Sequence, residues 1–222
     1  MAEPRLIVFD MDGTLIDSGA IIAEHMAVTF IEHGLVAPTR EQSNTVIGLT
    51  LDIAMRRLAD CDEDTALALA ETYRGHYRAM LDAGERHEPL YAGAADALGR
   101  LRGMETALLG IATGKALHGA SRILALHGLA DHFMTVQTPD HNPSKPHPGM
   151  MLRACAETGI DPARAVMIGD TTFDMELGVA AGAKTIGVTW GYHDRALLEA
   201  SGANIIIEDY ADLDAAIEEV LA

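Results

Sequence analysis

Two aspartates near the N-terminus, Asp10 and Asp12, have a spacing suited to paired acid chemistry. They follow a short apolar run at residues 6–9, whose length and β-branched content are typical of a strand buried on both faces. Gly13 allows the backbone to turn sharply, and Thr14 offers a hydroxyl and an amide to a nearby anion. In such a pair, one carboxylate can attack an electrophile while the other transfers protons.

Two more polar segments follow apolar runs later in the chain. After the run at 107–112, the Thr113 hydroxyl and the amides near Gly114 could hold a phosphate oxygen at a helix start, although Thr before Gly is often only a helix cap. Lys145 lies in a loop stiffened by prolines. An isolated loop lysine is usually a solvated surface charge, but this chain has only three lysines and Lys145 is held rigidly. We therefore expect Lys145 to offset charge in a site. The lysines are Lys115, Lys145 and Lys184.

A third segment adds two more acids, Asp170 and Asp174, after an apolar run and a glycine turn. Carboxylates at a strand end can ligate a divalent cation. They can equally cap the helix that follows, and for Asp174 the two interpretations are balanced. Because ligands bind outside the carboxyl ends of parallel strands, the sequence predicts that all these segments share one site.

The pattern of the chain predicts an α/β fold, a Rossmann-like, doubly wound and mostly parallel sheet. From about residue 18 to 88 the apolar spacing is helical throughout, which predicts an inserted all-α cap at 18–88 and a catalytic core formed by 1–17 and 89–222. Strands are predicted at 107–112, 133–137, 165–168, 185–188 and 204–207. Helices are predicted near 94–102, 116–127, 147–158, 174–181, 194–201 and 211–221.

Composition limits the classes of partner. A net charge of -17 without any basic run argues against nucleic acid and against an anionic membrane. The two cysteines lack metal or disulfide spacing, and the first residues do not resemble a signal peptide, so we expect a cytoplasmic monomer or homodimer. Histidines with no metal-ligand spacing are expected at helix faces or the surface; these include His25, His33, His118 and His147.

Together the candidate residues suit phosphoryl transfer to a carboxylate. Asp10 would attack phosphorus, and Asp170 would help to hold Mg²⁺, which prefers hard oxygen ligands. Lys145, Thr113 and backbone amides would bind the equatorial oxygens, and Asp12 would protonate the leaving oxygen. The expected partner is a small phosphorylated metabolite.

In the order of these motifs the chain resembles the haloacid dehalogenase superfamily, and within it the phosphatases with a helical cap, such as phosphoglycolate phosphatases. The resemblance spans nearly the whole chain and rests on Asp10-Met11-Asp12-Gly13-Thr14, Thr113, Lys145-Pro146 and Gly169-Asp170-Thr171 with Asp174. It implies a Mg²⁺-dependent phosphomonoesterase with Asp10 as nucleophile and Asp12 as general acid and base. The metal ligands would be the Asp10 side chain, the Asp12 backbone carbonyl and Asp170. One departure is Gly114, where the family usually has Asn.

Other activities remain open. Asp12 argues against dehalogenation, and the absence of lysine from 18–88 argues against Schiff-base phosphonate hydrolysis. An inorganic pyrophosphatase and a phosphosugar mutase stay possible, the latter through a second phosphate site made by a cap arginine. A signalling receiver domain is the non-enzymatic alternative, since it also combines acids, Mg²⁺, Thr and Lys. The cap arginines are Arg40, Arg56, Arg57, Arg74, Arg78 and Arg86.

Overall fold

Strands and helices alternate from residue 94 onward, whereas residues 19–82 form helices without a strand between them. The computed structural model describes residues 3–84 and 88–222; residues 85–87, which include Arg86, lie outside the described residues. The strands are β1 (Arg5–Phe9), β2 (Ala107–Ala112), β3 (Thr135–Gln137), β4 (Ala165–Gly169), β5 (Lys184–Val188) and β6 (Ile205–Ile207). The helices are α1 (Gly19–Glu32), α2 (Arg40–Asn44), α3 (Leu51–Ala59), α4 (Glu63–Asp82), α5 (Ala94–Arg102), α6 (Leu117–Leu126), α7 (Gly149–Thr158), α8 (Thr172–Ala181), α9 (Arg195–Ala200) and α10 (Leu213–Val220).

The six strands form one parallel sheet in the order β3-β2-β1-β4-β5-β6. β1 lies between β2 and β4, with Val8 aligned with Gly110 on one side and with Met167 on the other. The chain therefore reverses its direction of winding at β1, and ligands of such sheets bind at this switch point. The predicted α/β class and parallel sheet are confirmed.

Alternating side chains of β1 fill the two faces of the sheet. Leu6 and Val8 belong to a buried cluster with residues of α7 and α8, whereas Ile7 and Phe9 belong to a cluster with residues of α5, α6 and α10. All four are fully buried. A strand that is apolar on both faces is what a sheet covered by helices on both sides requires.

Helices α1 to α4 enclose a third hydrophobic cluster, which includes Met26, Phe30, Met55 and Leu69. Phe173 from α8 also packs into this cluster, so the helical segment rests on the edge of the sheet where the predicted site lies. His25, Tyr73 and Tyr77 form part of the interior of the segment. The His25 ring lies 5.7 Å from Tyr73 and 6.0 Å from Tyr77, centre to centre, and His25 is buried on its helix face.

Several predicted boundaries differ from the observed ones for local reasons. The helix predicted from 147 begins at Gly149, because Pro148 is its N-cap residue. The strand predicted from 133 begins at Thr135, because residues 130–132 form a 3₁₀ turn that ends at Phe133. Among the described residues, each helix is too short or too polar to cross a bilayer.

Candidate active site

Lys145 links two of the predicted acids. Its Nζ donates to Asp10 Oδ1 at 2.7 Å and to Asp174 Oδ1 at 2.6 Å. Asp10 directly follows β1 and Asp174 lies in the first turn of α8, while Lys145 comes from the loop after β3. The three side chains are at most 1% exposed. Since buried charges are stable only when paired, these contacts hold Asp10 and Asp174 in place.

Asp174 also organises the start of α8. Its second oxygen, Oδ2, accepts hydrogen bonds from the Thr171 amide at 3.1 Å and the Thr171 hydroxyl at 2.7 Å. The helix-capping interpretation of Asp174 therefore agrees with the geometry, and the Lys145 contact exists beside it. Asp174 thus contacts Lys145 through Oδ1 and Thr171 through Oδ2, so it positions the lysine relative to the start of α8.

Asp170 is fixed by two donors at the end of β4. Thr14 Oγ1 donates to its Oδ1 at 2.8 Å, and the Tyr192 amide donates to its Oδ2 at 2.9 Å. Gly13 and Gly191 press against the same carboxylate, since a Cβ on either would lie 2.2 Å from an Asp170 side-chain atom. The Thr14 hydroxyl expected to meet an anion thus meets Asp170. Both glycines are needed for this close approach.

Three carboxylates converge at this point, those of Asp10, Asp170 and Asp174. One oxygen from each lies within 4.8 Å of the others. Asp10 Oδ2 is buried and has no hydrogen-bond partner among the described residues. Lys145 alone cannot balance three buried carboxylates. Hard oxygen donors, a free Asp10 oxygen and this excess of negative charge are the conditions that suit a divalent cation such as Mg²⁺.

The protonation behaviour of the cluster shows the same excess of negative charge. Burial raises the pKa of Asp10, Lys145 opposes this rise and Asp174 adds to it, so that the pKa reaches about 7. Burial also raises the pKa of Asp170, and the Asp10 and Asp174 carboxylates raise it further against the two donors described above. Both carboxylates would hold their charge more readily beside another cation.

Asp12 lies beside this cluster and has its own partners. The Ser18 hydroxyl donates to Asp12 Oδ1 at 2.6 Å, and Lys115 Nζ is 3.2 Å from the same oxygen. The Asp12 side chain is 11% exposed, so it is more accessible than Asp10. The sequence assigned no role to Ser18, Lys115 or Tyr192. The scarcity of lysine was the one available signal for Lys115.

Thr113 and Gly114 lie at the end of β2. Thr113 Oγ1 accepts from the Lys115 amide at 3.2 Å, and the Thr113 amide donates to Gln137 O at 3.1 Å. Thr113 does not cap α6, because the N-cap residue of that helix is Ala116 and the Leu117 amide donates to Asp140. The Thr113 amide is engaged in the sheet. A Cβ at Gly114 would lie 2.5 Å from the carbonyl oxygen of Leu49, so the helical segment packs directly on this glycine. The Asn that is usual in the resembled family would require the backbone at Gly48 and Leu49 to move away.

Comparisons with known proteins agree with this geometry. The family model described as haloacid dehalogenase-like hydrolase matches residues 7–188. A phosphoglycolate phosphatase of Chromobacterium violaceum is 32% identical over 215 residues, covering 94% of this chain and 94% of the relative. An N-acetylmuramic acid 6-phosphate phosphatase of Pseudomonas putida is 30% identical over 226 residues, covering 98% and 97%. The crystal structure of a predicted phosphatase from Clostridium acetobutylicum superposes with a TM-score of 0.87 at 25% identity, covering 98% and 100%. The chain belongs to the family of haloacid dehalogenase-like hydrolases.

Proposed function

We propose that this protein is a Mg²⁺-dependent phosphatase that hydrolyses small phosphate monoesters through an aspartyl-phosphate. The observation that carries the proposal is the buried group of Asp10, Asp170, Asp174 and Lys145 at the carboxyl ends of the strands around β1. Phosphoryl transfer of this kind needs a carboxylate nucleophile, a site for a divalent cation and a lysine close to one another. The names of the relatives support the same reaction class.

The ion would be held by Asp10, Asp170 and the backbone carbonyl of Asp12. Asp10 Oδ2 is the oxygen that lacks a partner among the described residues, which supports its role as a ligand. When bound, the ion would neutralise the carboxylates and polarise a phosphoryl oxygen. Asp174 would act indirectly by orienting Lys145.

The protein's own residues would carry the bond changes. An Asp10 carboxylate oxygen forms a bond to phosphorus while the bond from phosphorus to the leaving oxygen breaks, and Asp12 gives that oxygen its proton. Asp12 then takes a proton from water, which attacks phosphorus and breaks the bond to Asp10, so that phosphate leaves and both carboxyl groups are restored. Lys145, the Thr113 hydroxyl and the Gly114 amide would hold the phosphoryl oxygens as their charge shifts.

We propose that residues 18–88 act as a cap over this site. The Thr50 amide donates to Ser144 Oγ at 3.0 Å, next to Lys145, and the Leu49 carbonyl covers Gly114. Such closure excludes water that would compete for the phosphoryl group. A leaving group then has to fit between the cap and Asp12, which favours small esters such as 2-phosphoglycolate.

Phosphate release from p-nitrophenyl phosphate tests the reaction class. We expect hydrolysis that requires Mg²⁺, is abolished by EDTA and is lost in Asp10→Asn, because the amide cannot attack as a carboxylate does. Asp64→Asn, at an exposed position in the first turn of α4, is the matched control and should keep full activity. Full activity of Asp10→Asn, or no turnover of this ester and of a panel including 2-phosphoglycolate and pyrophosphate, would contradict the proposal.

A further inference from the structure

A second ionic cluster adjoins the proposed site on the side of the predicted cap. The Lys115 cluster comprises Lys115, Asp12, Glu88, Tyr77 and Arg122. Lys115 Nζ lies 3.2 Å from Asp12 Oδ1, 3.8 Å from Glu88 Oε1 and 5.6 Å from the centre of the Tyr77 ring. Lys115 follows β2, Tyr77 lies in α4 and Arg122 lies in α6, while Glu88 is the last residue of the predicted cap segment. The cluster thus connects these elements to Asp12, the proposed proton donor.

Within this cluster, Glu88 is already satisfied by other groups. The Tyr77 hydroxyl donates to Glu88 Oε1 at 2.7 Å, and Arg122 forms an ion pair with Glu88 Oε2. Arg122 also donates to the Tyr77 hydroxyl. The Glu88 side chain is 1% exposed, so these partners fix a buried charge. Asp12 is the carboxylate nearest to Lys115, at 3.2 Å against 3.8 Å for Glu88. The same Asp12 oxygen also accepts a hydrogen bond from the Ser18 hydroxyl.

Accessibility distinguishes Lys115 from Lys145. The Lys145 side chain is fully buried and divided between Asp10 and Asp174, whereas the Lys115 side chain is 15% exposed beside an Asp12 that is 11% exposed. An ammonium group has three donors, so Lys115 retains hydrogen-bonding capacity for a ligand.

We propose that Lys115 is a specificity-determining residue that binds a carboxylate on the leaving group, one carbon away from the ester oxygen. The inference rests on the proposed function, in which Asp12 meets the leaving oxygen. A group attached to the carbon next to that oxygen comes within reach of Lys115, because only 3.2 Å separates its ammonium nitrogen from Asp12 Oδ1. The contacts with Tyr77 and Glu88 hold the cation in position before the ligand arrives, which reduces the entropy lost on binding.

A pair of substrates that differ only at this position tests the proposal. 2-Phosphoglycolate and ethyl phosphate share the ester and the chain length, but only the first has the carboxylate. In Mg²⁺ buffer, Lys115→Met should lower kcat/KM for 2-phosphoglycolate relative to that for ethyl phosphate by about tenfold to a hundredfold. This is the range expected for a charge-assisted hydrogen bond. The change should appear mainly in the KM for 2-phosphoglycolate. Lys115→Arg should restore part of the ratio, and Lys184→Met, at an exposed position, should leave it unchanged.

A binding measurement separates this proposal from the proposed function. In the Asp10→Asn protein, calorimetry with Mg²⁺ should show that Lys115→Met raises the dissociation constant of 2-phosphoglycolate more than that of ethyl phosphate. The difference should match the factor found for kcat/KM. If both esters lose kcat/KM equally, Lys115 only positions Asp12 and the proposal is overturned. If the unaltered protein hydrolyses neither ester, the proposed function fails for this class, and the ratio of the two dissociation constants still decides whether Lys115 reads the carboxylate.

Discussion

At the scale of single residues, Lys145 is the strongest determinant of the site. It is the cation that contacts both Asp10 and Asp174, and the three side chains are buried. Removing one partner from a buried ion pair leaves an uncompensated charge, which is strongly unfavourable. The structural and catalytic roles proposed for Lys145 therefore cannot be separated by activity alone.

We expect Lys145→Met to lower the free energy of unfolding by about 3–5 kcal/mol in EDTA, because two buried carboxylates lose their partner. Urea unfolding followed by circular dichroism measures this. Adding Asp174→Asn should recover part of the loss, since one of the unpaired charges is then removed. Lys184→Met is the control at an exposed lysine. An unchanged unfolding midpoint in Lys145→Met would contradict the importance of the pair.

His25 gives a second prediction at this scale, for stability against pH. Burial lowers the pKa of His25 below 6.5, and Glu24 and Glu88 only partly oppose this while His76 adds to it. The folded protein therefore binds a proton less readily than the unfolded chain. The contribution of neutral His25 is present above pH 6.5 and is lost progressively as the pH falls below that value.

The melting temperature should accordingly fall between pH 7.5 and 5.5, and His25→Gln should reduce this fall. Scanning calorimetry at both pH values gives the comparison. The exposed His118→Gln is the matched control and should keep the pH dependence of the unaltered protein. Equal slopes in His25→Gln and His118→Gln would show that His25 is not responsible.

At the scale of elements, the carbonyls of Gly48 and Leu49 pack against Gly114 after the end of β2, and this contact would govern closure of the proposed cap. A Cβ at Gly114 would lie 2.5 Å from Leu49 O and 2.7 Å from Gly48 O. These are backbone atoms, so the loop has to move as a whole. We expect Gly114→Ala to lower kcat/KM for 2-phosphoglycolate by about tenfold to a hundredfold, because displacement of the cap misplaces the leaving group.

The control for that substitution is Gly99→Ala in α5. A Cβ at Gly99 would have no heavy atom of the described chain within 4 Å, and alanine favours a helix interior by about 1 kcal/mol. Steady-state kinetics and melting temperatures of both variants make the comparison. Gly99→Ala should keep its activity and melt slightly higher. If Gly114→Ala shows the kinetics of the unaltered protein, the loop does not set the closed position.

The sequence predicted these elements well where local chemistry determines them. The helix predicted at 94–102 has the observed bounds, and Asp10 and Asp170 follow buried strands as expected, because parallel strands bring their carboxyl ends to one edge. The contacts of Ser18, Lys115 and Tyr192 were not predictable in the same way. The contacts of Lys115 with Asp12 and of Tyr192 with Asp170 join residues distant in the chain, so only the packed structure defines them. The contact of Ser18 with Asp12 is local, but it depends on how the chain turns after β1, and a serine hydroxyl carries no spacing signal.

At the scale of the whole molecule, both the chain and its proposed site carry an excess of negative charge. The chain has a net charge of -17, and its proposed site concentrates three buried carboxylates around one lysine. Any ligand that binds the folded state alone stabilises it in proportion to the logarithm of its concentration. A divalent cation should therefore affect the stability of the entire fold, because the carboxylates proposed to hold it, Asp10 and Asp170, directly follow β1 and β4 at the centre of the sheet.

We expect Mg²⁺ at about one hundred times its dissociation constant to stabilise the protein by about 2.7 kcal/mol relative to EDTA. Differential scanning fluorimetry across a Mg²⁺ titration measures this shift. Asp170→Asn should melt higher than the unaltered protein in EDTA, since one crowded charge is gone, and should gain little from Mg²⁺. The exposed Asp64→Asn should respond as the unaltered protein does. A Mg²⁺ shift of the same size in Asp170→Asn would place the ion elsewhere.

The packing of the Leu49 carbonyl against Gly114 also has a consequence for variants of this protein. A contact made by main-chain atoms does not depend on which side chains surround it. We therefore expect the side chains around Gly48 and Leu49 in the proposed cap to tolerate substitution without loss of closure, provided that Gly114 is retained. Libraries that randomise residues of the proposed cap while preserving Gly114 should yield variants with altered substrate selectivity that still hydrolyse phosphate esters.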